Sequence, residues 1–364
     1  DIKPATYKQQ LFDTYKIGPI QPVEKKSDLY CYFYIRALQL LKTNGLQIFI
    51  CSNSWLDVGF GVNLQHFFLK RYRVRTLIDS RKERQFASAE VNTIISIIQK
   101  APPAETEFLM LEGEFEQSIH DANLQTSRIY LQEELVKAGQ DERESYTGQR
   151  LSLYHRAPPV YLDMMATLGL QSQPLKQLAS VQRGPVTGKN KFFFVEVGGE
   201  KIEKIEDEFL YDILRRPQEC PQILTSNSER SVQLFTTTRP KSSLQTTGAL
   251  DYIIEGESLN YHKGSSTKTR NPWYKIRLLE PAPLLWMEIM GKSHRVFLND
   301  ANIRHSDKFY GIYITDQKVD HVKLNIWLNS TPIILHKLLT SFNSLGAGAL
   351  KTPVYGVEDI PVPD

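Results

Sequence analysis

The residues best suited to chemistry are arginines and lysines that stand beside aromatic and amide side chains in turn-rich segments. The largest such segment, 261–304, carries eight basic residues against three acidic ones. Basic side chains neutralise nucleic-acid phosphates, whereas planar and hydrogen-bonding side chains read base edges. The candidate DNA contacts in this segment are Lys263, Arg270, Trp273, Tyr274, Lys292 and Arg295. Trp273 could instead be an anchor that packs beneath a solvated basic strand.

A second basic turn, 181–194, contains Gly184 and Gly188 and leads into three consecutive phenylalanines. The phenylalanines predict a buried strand, which leaves the polar side chains of the turn to reach a partner. Arginine and asparagine can each pair through two hydrogen bonds with guanine or adenine edges. The candidate DNA contacts in this turn are Arg183, Thr187, Lys189 and Asn190.

A third basic stretch, 66–84, precedes Phe86, which stands in a loop of small residues that feeds a β-branched segment. Taken alone, the stretch is typical of a solvated face. An aromatic ring in such a loop can, however, stack on an exposed base. Phe86 is therefore the base-stacking candidate.

Other chemistries find little support in the sequence. Gly59-Phe60-Gly61 lacks the third glycine of a dinucleotide cradle, and the segment 346–351 lacks the Gly-Lys-Ser/Thr ending of a nucleotide loop. The eight histidines and three cysteines show no metal-ligand spacing, so we predict no metal site. Isolated cysteines, and no signal or membrane-spanning stretch, favour a reducing cytoplasm.

The elements that must position these residues begin with an α/β pattern over residues 1–104. We predict helices from Ser27 and over 62–72, and strands at 46–51, 74–79 and 91–99. The segment 46–51 is almost wholly apolar, which predicts a strand buried on both faces of a parallel sheet. These strands are too few for a complete doubly wound domain, so the pattern predicts the second half of one.

The rest of the chain predicts a connector and a second domain. Residues 105–144 hold eleven acidic residues against three basic ones, which favours an acidic helical connector over 105–170 with a short helix near 161–168. Short strands and Gly/Ser/Thr/Asn-rich turns follow, so 171–364 predicts a mixed α+β domain. The net charge of +3 is too small to indicate nucleic-acid binding by itself.

Taken in order, these segments resemble the C-terminal half of the amino-methyltransferases of restriction-modification systems, in the group that includes the TaqI-like and Eco57I-like adenine-specific enzymes. Ser27-Asp28-Leu29-Tyr30 and Ser52-Asn53-Ser54-Trp55-Leu56 resemble the stretch that follows the catalytic Asn-Pro-Pro-Tyr loop of that family. Residues 86–93 are similar to the motif whose aromatic packs on the flipped-out adenine. The segments 183–190, 271–274, 328–330 and 346–351 resemble the family's target-recognition domain.

The resemblance implies site-specific adenine-N6 methylation of double-stranded DNA, with S-adenosylmethionine and base flipping, in the parent enzyme. Neither Asn-Pro-Pro-Tyr nor the glycine motif that holds the cofactor occurs in this chain. We therefore expect a fragment that starts past the catalytic loop, binds no S-adenosylmethionine and transfers no methyl group alone. Residues 1–104 would be the C-terminal half of a Rossmann-like methyltransferase domain, and 171–364 its target-recognition domain.

Two alternatives stay open. The parent could be a bifunctional type IIG restriction-modification enzyme with a nuclease domain upstream. The chain could also be a non-catalytic DNA specificity module or a partner subunit. An incomplete sheet has a free edge, which predicts a homo- or hetero-oligomer through that edge.

Overall fold

A computed structural model describes residues 5–15, 22–57, 59–82, 92–141, 143–169, 171–227, 230–291, 293–341 and 350–364. The chain divides into two compact units, Asp1–Pro158 (unit 1) and Pro159–Asp364 (unit 2). Phe86, Lys292 and the glycine segment 346–349 lie outside the described residues. Within the described ranges, no helix is long and apolar enough to cross a membrane.

Unit 1 is a five-stranded mixed sheet with helices. Its strands are β1 (Leu46–Ser52), β2 (Arg73–Ser80), β3 (Thr93–Gln99), β4 (Glu105–Leu111) and β5 (Gln125–Leu131). Its helices are α1 (Ala5–Thr14), α2 (Leu29–Leu40), α3 (Val62–Arg71), α4 (Phe115–Ser118), α5 (Gln132–Ala138) and α6 (Leu153–Arg156). The strand order is β1-β3-β2-β4-β5. β3 is antiparallel to β1 and β2, and β2 is parallel to β4, so the carboxyl ends of β1, β2 and β4 share one edge.

The core of unit 1 lies between the sheet and helices α2 and α3. Helix α2 begins after Asp28, whose side chain accepts a hydrogen bond from the Leu29 amide at 2.6 Å, as a capping residue does. Its buried Tyr34 forms a 2.7 Å hydrogen bond with Ser96 on β3. The predicted helix from Ser27, the helix over 62–72 and the strands over 74–79 and 91–99 are confirmed within a few residues.

The predicted environment of β1 is wrong. β1 is an antiparallel edge strand, and Leu46, Ile48 and Ile50 are 45%, 62% and 47% exposed. Successive side chains of a strand point to opposite faces, so only Gln47, Phe49 and Cys51 alternate toward the covered face. An apolar run shows that a strand forms but not which of its faces is covered.

The expected acidic helical connector is wrong over 105–131, where β4 and β5 extend the sheet of unit 1. On β4, Thr106, Phe108 and Met110 are buried, while Glu105 and Glu107 alternate with them. The prediction relied on the number of acidic residues in this segment and overlooked the alternation of buried and exposed side chains that is typical of a strand. The boundary between the two compact units also lies after Pro158 rather than near residue 104.

Unit 2 combines short helices with four small sheets, in agreement with the mixed α+β prediction. Its helices are α7 (Pro159–Gly169), α8 (Asn190–Phe193), α9 (Gly248–Ser258), α10 (His321–Leu328), α11 (Thr331–Thr340) and α12 (Val354–Glu358). Its strands are β6 (Ser172–Pro174), β7 (Ala179–Arg183), β8 (Phe194–Glu196), β9 (Leu210–Leu214), β10 (Val232–Phe235), β11 (Leu284–Met287), β12 (Ile289–Met290), β13 (Val296–Leu298), β14 (Arg304–His305), β15 (Phe309–Ile314), β16 (Leu350–Lys351) and β17 (Pro361–Pro363). The predicted short helix near 161–168 is α7.

The sheets of unit 2 have the strand orders β14-β9-β10-β8 and β13-β11-β15-β7, with two further pairs, β12-β16 and β17-β6. One core is aromatic: Phe192 stacks on Tyr252 at 4.8 Å and approaches Trp273 at 4.5 Å between ring centroids. A second core surrounds the fully buried Trp286 and Tyr310. The turn 183–190 leaves β7 and enters α8, so it joins the two larger sheets.

Candidate nucleic-acid interface

Arg183, at the end of β7, points toward acidic side chains. Its Nη2 lies 3.0 Å from Glu288 Oε1 and 3.6 Å from Asp307 Oδ2, and the Glu288 side chain is only 2% exposed. Lys351 Nζ lies 2.9 Å from the same Glu288 oxygen. A buried carboxylate requires such partners because its desolvation is costly. The predicted DNA contact by Arg183 stays a prediction, and in this structure the guanidinium holds the stem of the turn.

The other polar residues of the turn differ in how far they reach solvent. Thr187 is buried, and its hydroxyl donates a hydrogen bond to Asn190 Oδ1. The amide nitrogen of exposed Asn190 has no bonding partner among the residues described. Lys189 Nζ lies 4.7 Å from the ring centroid of Tyr261, a cation–π contact. Lys189 and Asn190 thus reach the surface, whereas Thr187 is buried, and the DNA contacts of all three residues stay predictions.

Arg270 binds the turn itself. Its Nη1 donates to the Thr187 carbonyl at 2.8 Å and its Nη2 to the Val186 carbonyl at 2.7 Å. Its guanidinium also lies 5.5 Å from the ring centroid of Phe193. Two of its five N–H donors are therefore used to bind backbone carbonyls of the turn.

Two more predicted contacts are engaged within the protein. Tyr274 is 2% exposed and its hydroxyl donates to the Arg239 carbonyl at 2.9 Å, so its contact with DNA stays a prediction. Arg295 Nη1 donates to the carbonyls of Cys220 and Pro221 at 3.1 and 2.8 Å. In both cases the partner carbonyls belong to residues distant in sequence, so the sequence does not reveal these contacts.

Trp273 is half-buried, and its contacts agree with both interpretations of the sequence, a packing anchor and a DNA contact. Its indole nitrogen donates to Glu257 Oε1 at 2.9 Å, and Lys241 forms an ion pair with the other Glu257 oxygen. One part of the ring system packs on Phe192, as an anchor would. The residue also lines an open cleft of about 690 Å³.

That cleft, which we call the basic cleft, is the best candidate site of unit 2. Lys263 and Lys268 line it, and both are exposed and form no ion pair within the described ranges. The remaining lining residues are Thr238, Pro240, Lys241, His262, Arg270, Asn271, Pro272, Trp273 and Tyr274. A cleft with uncompensated ammonium groups, an indole and amide or hydroxyl side chains fits a polyanion with planar bases.

A smaller cleft of about 460 Å³ shares Thr238 with the basic cleft and adds the exposed Lys275 and Arg277. Lys268, Lys275 and Arg277 belong to the basic segment 261–304, but they are not among the contacts predicted from sequence. The sequence feature that could have identified these three residues is that none of them is directly next to an acidic residue.

Unit 1 carries a polar cluster where β1 and β2 end. Asp57 accepts hydrogen bonds from Ser152 Oγ at 2.6 and 2.7 Å, and Arg156 Nη2 lies 3.4 Å from Asp57 Oδ2. Burial raises the pKa of nearby Asp79 to about 6. The base-stacking candidate Phe86 belongs to the segment between Ser80 and Thr93, outside the described residues.

The Gly59–Gly61 turn does not fit S-adenosylmethionine. A Cβ at Gly61 would lie 2.0 Å from the Trp55 carbonyl oxygen, so this glycine permits backbone packing rather than a cofactor cradle.

Comparisons with known proteins agree over both units. The family described as Type II methyltransferase M.Eco57I, C-terminal domain, matches residues 162–364, and Eco57I restriction-modification methylase matches 5–86. Type II methyltransferase M.AccI of Acinetobacter calcoaceticus is 22% identical over 309 residues, which are 82% of this chain and 55% of M.AccI.

A solved structure shares the fold. The type IIL restriction-modification enzyme MmeI, solved in complex with DNA, matches 96% of this chain and 44% of its own at a TM-score of 0.55 and 15% identity. The chain thus spans about half the length of the relatives it matches. The resemblance to Eco57I-like restriction-modification methyltransferases is confirmed, because the C-terminal family match covers more than half of the sequence. The chain belongs to the M.Eco57I C-terminal-domain family of type II restriction-modification methyltransferases.

Proposed function

We propose that this chain reads a specific sequence in double-stranded DNA as part of a site-specific adenine-N6 DNA methyltransferase. The observation that carries the proposal is the basic cleft. Lys263 and Lys268 line it together with Trp273, and both lysines are exposed and form no ion pair within the described ranges. Uncompensated lysines suit phosphate contacts, and Lys189 and Asn190 add donors on the turn that precedes α8. Solvation alone would explain scattered lysines but not their convergence on one aromatic cleft.

In this proposal, unit 2 recognises the target and unit 1 supplies the C-terminal half of a Rossmann-like methyltransferase sheet. Phe86 would stack on the flipped adenine. The assignment is supported by the described ends of β2 and β3, since Ser80 and Thr93 border the edge that carries Asp57 and Asp79. The parent enzyme would use S-adenosylmethionine and act on DNA in the cytoplasm.

The same proposal holds that this chain alone binds no S-adenosylmethionine and methylates nothing. Asn-Pro-Pro-Tyr and the cofactor glycine motif are missing from its sequence, and both are needed to hold the reacting groups. Incubation of the purified chain with duplex DNA and methyl-labelled cofactor would expose an error through any incorporated label.

DNA recognition is tested by the salt dependence of binding. Each phosphate contact contributes about 0.9 to the slope of log affinity against log salt on duplex DNA. We expect Lys263→Ala and Lys268→Ala each to reduce the slope by about 0.9, measured by fluorescence anisotropy with duplexes selected from a randomised pool. Lys318→Ala, at an exposed lysine that does not line the basic cleft, is the control. Absent binding, or an equal effect of the control, would refute the proposal.

A second proposal concerns partners: a homo- or hetero-oligomer through the free edge of β1. Its support is the terminal position of β1 in the strand order, which leaves one row of its backbone hydrogen-bonding groups without a strand partner among the described residues. Leu46, Ile48 and Ile50 on the same strand are also exposed, which is unfavourable in water. Sedimentation velocity of the chain and of Ile48→Asp distinguishes the cases. We expect self-association that the substitution abolishes, whereas monomers throughout would refute the homo-oligomer.

A further inference from the structure

We infer that Arg270 is the positioning residue of the turn 183–190, which we call the recognition turn. Arg270 would hold this turn in a fixed conformation for DNA rather than touch DNA itself. The inference rests on the proposed function of unit 2 and assigns Arg270 a different role from the phosphate or base contact expected from its sequence context.

The geometry of Arg270 is that of a brace. One guanidinium binds the carbonyls of Val186 and Thr187 at 2.7 and 2.8 Å, so it fixes two successive peptide planes relative to each other. The planar guanidinium presents its donors in a rigid fork, whereas a lysine ammonium is a compact point donor. The guanidinium also lies 5.5 Å from the ring centroid of Phe193, a cation–π contact that restrains it further.

Other contacts restrict the recognition turn at both ends. Arg183 is bound by buried Glu288 at the stem, where a Cβ on Gly184 would lie 2.1 Å from the Ser306 carbonyl oxygen. Near the other end, Gly188 has a φ of +72°, and a Cβ there would lie 2.5 Å from Ser266 Cβ. The backbone therefore has little room to relax, and Arg270 binds its middle.

A braced turn presents its exposed side chains without first having to be ordered. Val186 is 47% exposed, and Lys189 and Asn190 also reach the surface. Ordering a loop upon association costs free energy, so a turn fixed in advance binds more tightly and with sharper discrimination. Val186 could contact a thymine methyl group, and Asn190 could donate to a base edge.

The experiment compares Arg270→Lys and Arg270→Gln with Lys268→Ala in the full chain. The probes are one duplex enriched from a randomised pool and a scrambled duplex of equal composition. We expect both Arg270 variants to bind the enriched duplex about tenfold more weakly, a loss of about 1.4 kcal/mol. Their affinity for the scrambled duplex and their salt slope should not change. Lys268→Ala should instead weaken both duplexes and lower the slope by about 0.9.

A second readout follows the turn without DNA. Trypsin should cleave after Lys189 or Lys191 faster in both Arg270 variants than in the unaltered chain, at equal thermal stability. A lower salt slope in Arg270→Gln would show that Arg270 contacts phosphate and would overturn the inference. Unchanged selectivity together with unchanged cleavage would also overturn it. If the unaltered chain binds neither duplex, the proposed function fails, and the cleavage rates still decide whether Arg270 braces the turn.

Discussion

At the scale of single residues, the arginines and lysines of unit 2 have different roles although they share the same basic segments. Arg183, Arg270 and Arg295 bind protein carboxylates or carbonyls, whereas Lys263 and Lys268 remain exposed. A guanidinium is weakly hydrated and offers five donors, so it can be satisfied inside a fold; an ammonium is strongly hydrated and favours water. The sequence located the basic segments but could not separate these roles, since that depends on non-local partners.

The conformation of the recognition turn can be tested by adding a single methyl group at Gly188. Alanine at this position meets both an unfavourable positive φ, at a cost of about 1–2 kcal/mol, and a clash with Ser266. We expect Gly188→Ala to weaken binding of the enriched duplex and to lower the free energy of unfolding of unit 2. Gly198→Ala is the matched control, because Gly198 has a φ of +77° and no atom near its Cβ position. Equal losses in the two variants would show that backbone strain alone, and not the Ser266 contact, matters.

At the scale of elements, sequence patterns located strands better than they predicted strand neighbours. β2 and β3 follow from local β-branched runs, but the pairing of Ile78 with Leu109 joins residues far apart in sequence. The covered face of β1 likewise depends on α2, and no local pattern specifies it. Residue propensity and hydrophobic periodicity are properties of a local segment, whereas strand order and burial depend on tertiary contacts. The sheet edge at which β1, β2 and β4 end could therefore be inferred only from the family resemblance.

Gln132 joins several elements of unit 1, and its importance was not apparent from the sequence. Its buried amide accepts from the Val74 and Ala104 amides at 3.0 and 3.2 Å and donates to the Leu69 and Tyr72 carbonyls at 3.0 and 2.9 Å. Each buried backbone group left unpaired costs about 1–3 kcal/mol.

Replacing Gln132 with alanine should therefore lower the free energy of unfolding of unit 1 by about 3 kcal/mol or more. Urea unfolding followed by Trp55 fluorescence, in a background where the other tryptophans are replaced, measures the change. Gln39→Ala, at an exposed position on α2, should leave the midpoint unchanged. A loss below about 1 kcal/mol for Gln132→Ala would mean that water replaces the lost partners.

At the scale of the whole molecule, the two units should respond differently to acid because they bury different titratable groups. In unit 2, burial lowers the pKa of both His294 and His305 to about 4, and Lys337 adds to the effect at His294. In unit 1, burial lowers the pKa of His155 to about 4 but raises that of Asp79 to about 6. Unit 1 thus contains two buried groups with opposite effects. In unit 2, burial also lowers the pKa of Lys337 to about 7, so this lysine acts in the same direction as the two histidines.

The sign follows from proton binding. An unfolded histidine binds a proton near pH 6.5, whereas buried His294 and His305 do so only near 4, so acidification over this interval favours unfolding of unit 2. Each histidine contributes up to about 1.4 kcal/mol per pH unit. Asp79 behaves in the opposite way: between about pH 6 and pH 3.8 it binds a proton in the folded state but not in the unfolded state, so acidification favours folding. This effect offsets the destabilising effect of His155 on unit 1.

We therefore expect the urea midpoint of unit 2 to fall between pH 7 and 5 by clearly more than that of unit 1. Fluorine NMR of the fluorotryptophan-labelled chain resolves the units, because Trp55 reports on unit 1 and Trp273, Trp286 and Trp327 on unit 2. His305→Leu should reduce the pH dependence of the unit 2 signals only, since it removes one buried histidine from that unit. Parallel shifts of all four signals would instead mean that the units unfold as one cooperative body, with the acid response set by their sum.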